Sequence, residues 1–247
     1  MIEIAHLDLN VVNHCNLSCV NCSHGSPAAV PYSMSLETIE RDLTALKPFL
    51  KPHAVNLVGG EPTLHKQIVD IMRLTKRIRL DEATVVITNA TLLPRMSEEF
   101  WQEVEYLSIS VYPALNPECL ELAREKQKQY AFGLGERVFT DFHRQFRQEP
   151  NDGSHFSTCH WKSDCFTVHE GFFYLCPQSA FFPQRFMGLP IGSDGLDLEG
   201  ITESKLRAFM DRTEPLAACR ICMANEMKPL PWKEAPRKEW LEQSKNP

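Results

Sequence analysis

The 247-residue chain carries 26 Lys+Arg against 32 Asp+Glu, a net charge of −6, with 43% hydrophobic and 23% charged residues, which excludes a disordered or fibrous chain. The length suits one large domain, or a domain of ~150 residues with a smaller companion. No Lys/Arg run exceeds two residues, no stretch approaches ~18 apolar residues, and the start MIEIAHLDLN is acidic and alternating, so nucleic acid and membrane are not expected and the cytoplasm is.

In chain order, Ala5 to Val12 alternate as a strand, Ser35 to Phe49 have helical apolar spacing, and Ala54 to Val58 form a short apolar strand ending at Gly59-Gly60. The rhythm continues with a helix Lys66 to Ile78, a strand Thr84 to Thr88, a helix Ser97 to Glu103, a strand Tyr106 to Val111, a helix Pro117 to Gln129 and a strand Arg137 to Phe142. Strands alternating with helices predict parallel βα units, in a doubly wound sheet or an open or closed α/β barrel. The polar stretch Arg144 to Ser157 reads as a boundary. Beyond it, Phe166 to Leu175 predict a hairpin turning at Glu170-Gly171, and Thr202 to Met210 an amphipathic helix. The tail from Lys228, with Pro229, Pro231 and Pro236, predicts an extended arm and a short helix near Arg237 to Gln243. The expected division is 1–150, 151–227 and 228–247.

Nine cysteines in a chain expected in a reducing compartment point to metal or redox chemistry rather than bridges. Cys15, Cys19 and Cys22 follow the first strand in NHCNLSCVNC. Three thiolates in one loop suit three irons of a 4Fe–4S cube and leave the fourth open to an outside chelator. A zinc site would want a fourth Cys or His nearby.

Cys15-x3-Cys19-x2-Cys22 after the first strand, with Gly59-Gly60-Glu61-Pro62 after the second, resembles the radical S-adenosylmethionine (radical SAM) superfamily. The resemblance implies a partial (β/α) barrel in which Cys15, Cys19 and Cys22 hold the cluster, SAM fills the open iron, and Gly59, Gly60 and Glu61 meet the methionine end of SAM. Glycines permit close backbone approach, and a carboxylate suits an ammonium. The residue before the third Cys, usually aromatic in that family, is Asn21 here.

Cys159, Cys165, Cys176, Cys219 and Cys222 form a second group. Four of them, placed on a hairpin and a distant Cys-x2-Cys pair, suit a second iron–sulfur cluster or a zinc ion. The spacing Cys159-x11-Gly171-x4-Cys176 with Cys219-x2-Cys222 resembles the auxiliary-cluster module called twitch, related to SPASM. That resemblance implies Cys159, Cys176, Cys219 and Cys222 as ligands of a second 4Fe–4S cluster. Cys165 is the substitute first ligand or a spare thiol, and the candidate catalytic hydrogen-atom donor. Cys119, alone on a predicted helix, reads as a buried small hydrophobe.

Strand ends in such folds carry the ligands, which nominates Thr88, Asn89, Ser108, Ser110, Tyr112, Asp141 and His143, with Asn89 and Ser110 the expected SAM contacts by resemblance. His14, His24 and His169 are expected in local hydrogen bonds. Phe172, Phe173, Tyr174, Phe181 and Phe182 are expected as core. The implied function is reductive cleavage of SAM to a 5′-deoxyadenosyl radical that abstracts hydrogen from an unactivated C–H bond, with a flavodoxin- or ferredoxin-type reductant. Peptide-modifying relatives often carry a leader-binding domain before the barrel, so the early first strand favours oxidation or rearrangement of a small metabolite such as a sugar, cyclitol or natural-product intermediate. Peptide maturation and a non-enzymatic zinc or iron–sulfur module are the alternatives.

Overall fold

The structure, a computed structural model, describes residues 1–80, 82–147, 149–223, 229–236 and 238–239. Five strands alternate with helices: β1 (Ile2–Val12), α1 (Leu36–Leu46), β2 (Leu50–Gly59), α2 (Ile68–Ile78), β3 (Ala83–Thr88), α3 (Glu98–Glu103), β4 (Tyr106–Val111), α4 (Pro117–Tyr130) and β5 (Gly133–Val138). Side-chain oxygens mark the helix starts: Ser35, Ser97 and Asn116 accept from the backbone N–H of Thr38, Phe100 and Glu118, satisfying donors that a helix cannot pair internally.

After β6 (Asp141–His143) come a short helix α5 (Trp161–Asp164), β7 (Thr167–His169), β8 (Phe172–Tyr174), α6 (Pro177–Phe186), β9 (Leu196–Asp197), α7 (Glu203–Met210) and β10 (Pro229–Pro231). The main sheet runs β5-β4-β3-β2-β1-β7-β8-β9. It is parallel from β5 through β7 and antiparallel only at its β8 and β9 edge. This is an α/β, open-barrel arrangement, one of those the βα rhythm allows and the one the resemblance implies. β7 continues it directly, bonding beside β1, so the C-terminal third extends the same sheet. Leu7, Leu9, Val55, Leu57, Val86, Leu107 and Ile109 form its buried centre against the helices. Among the described residues no helix is long and apolar enough to cross a membrane.

The fifth strand departs from expectation. It lies at Gly133–Val138, while Asp141–His143 belong to a separate antiparallel ladder with β10. The glycines explain the shift: a Cβ on Gly133 would meet the Tyr106 ring at 2.2 Å, and one on Gly135 the Tyr106 hydroxyl at 2.7 Å. The strand is therefore set by a tyrosine of β4 lying across it, and its sequence lacks the β-branched pattern by which strands are read. α6 was not expected, since Pro177 and Pro183 both interrupt its pattern. Pro177 occupies the first turn, where no N–H is needed, and Pro183 lies inside the helix.

The predicted hairpin is present, with Glu170 at φ 47 and Gly171 at φ 86, the paired positive φ of a tight hairpin turn. Phe173, Tyr174, Phe181 and Phe182 are fully buried, as expected of core, and Phe172 packs against them. The stretch expected as a boundary is strapped down: Arg147 N–H donates to the Ile221 carbonyl at 2.8 Å, and Asn151 N–H to that of Arg220 at 2.8 Å. The short helix expected near residues 237–243 falls almost wholly outside the described residues.

Candidate functional site

The backbone joins the two motifs of the N-terminal half. β1 and β2 run in register until a shift between Asn10 and Val12 sets Val12 beside Gly59. Beyond it Gly60 N–H donates to the Val12 carbonyl at 2.8 Å, and Glu61 N–H to that of His14 at 3.0 Å. The glycine loop thus lies along the entry to the cysteine loop. Only glycine fits there: a Cβ on Gly59 would stand 2.1 Å from the Val12 oxygen, and one on Gly60 2.0 Å from the His14 oxygen.

Cys15, Cys19 and Cys22 line one cavity of about 520 Å3 at the C-terminal ends of the parallel strands, together with Gly59, Gly60, Glu61, Asn89, Ser110 and Tyr112. The thiols are not idle. Cys15 Sγ accepts from Leu17 N–H at 3.4 Å and from Asn89 Nδ2 at 3.7 Å, and Cys19 Sγ accepts from Trp232 Nε1 at 3.3 Å. Burial pushes the Cys15 thiol up and, aided by Cys22, takes Cys19 to about 12, so metal uptake here releases protons. Among the described residues no three His, Cys, Asp or Glu converge on a single-ion site. A cube spreads its thiolates over separate irons, so three thiols around one cavity, with N–H donors aimed at Cys15 and Cys19, suit three of its irons. Asn21 stands at φ 63, a left-handed conformation that Asn tolerates and an aromatic side chain disfavours.

Glu61 is buried, and four donors of this chain fill its carboxylate. Oε1 accepts from Thr63 N–H at 3.1 Å, Thr63 Oγ1 at 2.6 Å and Thr88 Oγ1 at 2.7 Å, while Oε2 accepts from Asn89 N–H at 2.7 Å. The carboxylate thereby ties the glycine loop to the end of β3. Burial raises its pKa against the pull of those bonds. Asn89 reaches onward to the cysteine loop, donating from Nδ2 to Asn16 Oδ1 at 2.9 Å. Asp141 and His143 line the same cavity from β6, while Ser108 lies earlier on β4, outside the lining. Of the histidines, His169 pairs with Asn10 at 3.2 Å and His24 with Ser23 at 3.2 Å, whereas His14 Nδ1 has no hydrogen-bond partner among the described residues.

Four thiols of the second group share a cavity as well. Cys159, Cys176, Cys219 and Cys222 line one small cavity of about 20 Å3; Cys165 does not. Cys176 is the N-cap of α6, where Ser179 completes a reciprocal cap and the helix end favours a negative sulfur. Burial raises the Cys176 thiol and takes Cys219 to about 11. Cys165 is taken to about 12 by burial and by Asp8, which places it toward β1. Cys119 is buried on α4, as expected.

Two residues beside the first cavity escaped the sequence reading. Trp232 bonds to Cys19 and stacks on Tyr112 with centroids 5.7 Å apart and planes at 17°. Arg185 of α6 lies over Phe181 at 4.3 Å, with both terminal guanidinium nitrogens buried and without hydrogen-bond partners among the described residues. Burial pushes it down to about 10, and the Cys22 thiol acts in the opposite sense. No local sequence signal marks either residue.

A family model of the Radical SAM superfamily matches residues 9–134. The chain is 32% identical over 96 residues to a probable GTP 3′,8-cyclase of Pyrococcus abyssi, covering 39% of this chain and 30% of that one. It is 27% identical over 126 residues to the GTP 3′,8-cyclase of Microcystis aeruginosa, covering 49% and 38%. The matches thus span about a third of these relatives' length. The structure of BtrN in complex with AdoMet and 2-DOIA superposes with a TM-score of 0.56 at 13% identity, over 85% of this chain and 82% of that one. That likeness concerns the fold.

Proposed function

The chain belongs to the radical SAM superfamily, and we propose that it oxidises or rearranges a small metabolite by hydrogen abstraction from an unactivated C–H bond. One observation carries this reading: a single cavity at the strand ends is lined by Cys15, Cys19 and Cys22 on one side and by Gly59, Gly60, Glu61, Asn89 and Ser110 on the other. Its volume of about 520 Å3 lies within the range of small-molecule sites. When bound, a 4Fe–4S cluster and SAM supply a reductively generated 5′-deoxyadenosyl radical.

The protein's own part is positional. Cys15, Cys19 and Cys22 hold the cluster, and Leu17 N–H, Asn89 and Trp232 donate to its thiolates. Gly59 and Gly60 let a ligand approach the backbone, and Glu61 fixes that loop to β3. Ser110 of β4 and Tyr112 just beyond it line the cavity, and Phe139 and Phe142, which pack on Tyr112, help to keep water from the pocket.

Cys159, Cys176, Cys219 and Cys222 would hold a second 4Fe–4S cluster in the manner of a twitch module, which would supply an electron acceptor for net oxidation. Their shared cavity supports this set of four, and Cys165 stays outside it. The test is anaerobic incubation of the reconstituted, reduced protein with SAM. 5′-Deoxyadenosine formed by the wild type and absent from a Cys19→Ala variant upholds the reading; methionine and 5′-deoxyadenosine formed equally by both rejects it. Turnover of a peptide but of no small metabolite would replace the substrate class.

A further inference from the structure

The C-terminal arm folds back over the first cysteine loop. Val20 N–H donates to the Lys233 carbonyl at 2.9 Å, Ala235 N–H to the Ser18 carbonyl at 3.0 Å, and Ser18 N–H to Glu234 Oε1 at 2.8 Å. Cys19 and Glu234 form an antiparallel bridge. β10 anchors the other side of the arm on β6, and Trp232 N–H donates to the Thr140 carbonyl at 2.9 Å. Between these anchors the indole lies on Tyr112 and directs Nε1 at Cys19 Sγ, 3.3 Å away. This bond joins residues 213 positions apart.

We propose that Trp232 is a positioning residue whose indole N–H sets the reduction potential of the cluster held by Cys15, Cys19 and Cys22. This rests on the assignment of those three thiols as cluster ligands. An N–H aimed at a ligand sulfur stabilises the reduced, more negative cluster more than the oxidised one. In the balanced step, one electron from the donor takes the cube from its 2+ to its 1+ state, with no proton transferred and the Cys19–iron bond intact. The donor bond raises the potential of that couple. A cluster without the Trp232 bond is therefore harder to reduce.

The test is an anaerobic redox titration with dithionite as reductant, followed by electron paramagnetic resonance. The core signal is the one that a Cys15→Ala variant lacks. Trp232→Phe keeps an aromatic ring beside Tyr112 and removes the N–H. The expected result is wild-type iron content with reduction about threefold to tenfold less favourable, a fall of ~30–60 mV for a one-electron couple. A full complement of iron with an unchanged midpoint overturns the proposal. If the wild type has no signal that Cys15→Ala removes, the ligand assignment itself fails. In wild-type protein grown with indole-15N tryptophan, a nitrogen coupling to the core signal that survives Trp161→Phe is expected. Its absence overturns the proposal even if Trp232→Phe does not load iron.

Discussion

Gly60 lies flat against the carbonyl of His14, so close that a Cβ at residue 60 would stand 2.0 Å from that oxygen and 2.7 Å from the Cys15 nitrogen. The second motif thereby fixes where the first cysteine begins. Gly60→Ala must push the cysteine loop away, and both atoms it meets are backbone. The expected cost is at least about 3 kcal/mol of stability, beyond ordinary overpacking, with loss of iron at the N-terminal site. Gly200→Ala is the control: Gly200 has φ +62 and open space around it, so it should cost about 1 kcal/mol and retain iron. Urea unfolding and iron analysis of the two variants check this.

Glu61→Gln replaces one acceptor oxygen with a donor among four donors from Thr63, Thr88 and Asn89. A loss of about 2 kcal/mol is expected for this buried, charged acceptor. SAM affinity should also weaken, because Asn89 loses the bond that holds its backbone. Thermal unfolding and equilibrium SAM binding measure the two effects separately. Wild-type stability in the variant would mean that the carboxylate does not bind the loop to β3.

The small cysteine cavity is lined by Cys159 and not by Cys165. Cys159→Ala should lose about four irons per chain, and Cys165→Ala should lose none, because Cys165 is absent from the lining. Turnover by Cys165→Ala then decides its catalytic candidacy: full activity removes it as a hydrogen-atom donor.

His169 gives a pH prediction. It is buried at the end of β7, with Asn10 of β1, Arg185 of α6, His24 of the cysteine loop, Glu170 and Tyr32 about it. Burial, then Arg185, lowers its pKa to about 3 from 6.5. A depressed histidine takes up its proton more readily in the unfolded chain, so its contribution is complete above pH 6.5 and is lost as pH falls toward 3. Between pH 7 and 5 this amounts to about 2 kcal/mol. His169→Gln should flatten that part of the stability profile, read from urea midpoints at the two pH values. An unchanged slope would contradict the cause assigned.

The parallel core was legible because its signals are local. β1 to β4 alternate or run apolar between capped helices, and CxxxCxxC and GGEP sit where strands end. The strand β5 was misplaced because its position depends on Tyr106 lying over Gly133 and Gly135. α6 was hidden by Pro183 and an unpatterned run of phenylalanines. Trp232 and Arg185 have no local signature at all, since each becomes meaningful only when chain segments far apart in sequence meet the cysteine loop. The choice of Cys159 over Cys165 was made by resemblance to a spacing; the small cavity is lined by Cys159 and not by Cys165, while Asp8 and Cys159 both act on the Cys165 thiol.

The most direct measurement is iron and acid-labile sulfide per chain after anaerobic reconstitution, comparing the wild type with a Cys15→Ala/Cys19→Ala/Cys22→Ala variant. The account predicts about eight irons falling to about four, one cube in each cysteine cavity. An iron content that the triple substitution leaves unchanged would contradict it.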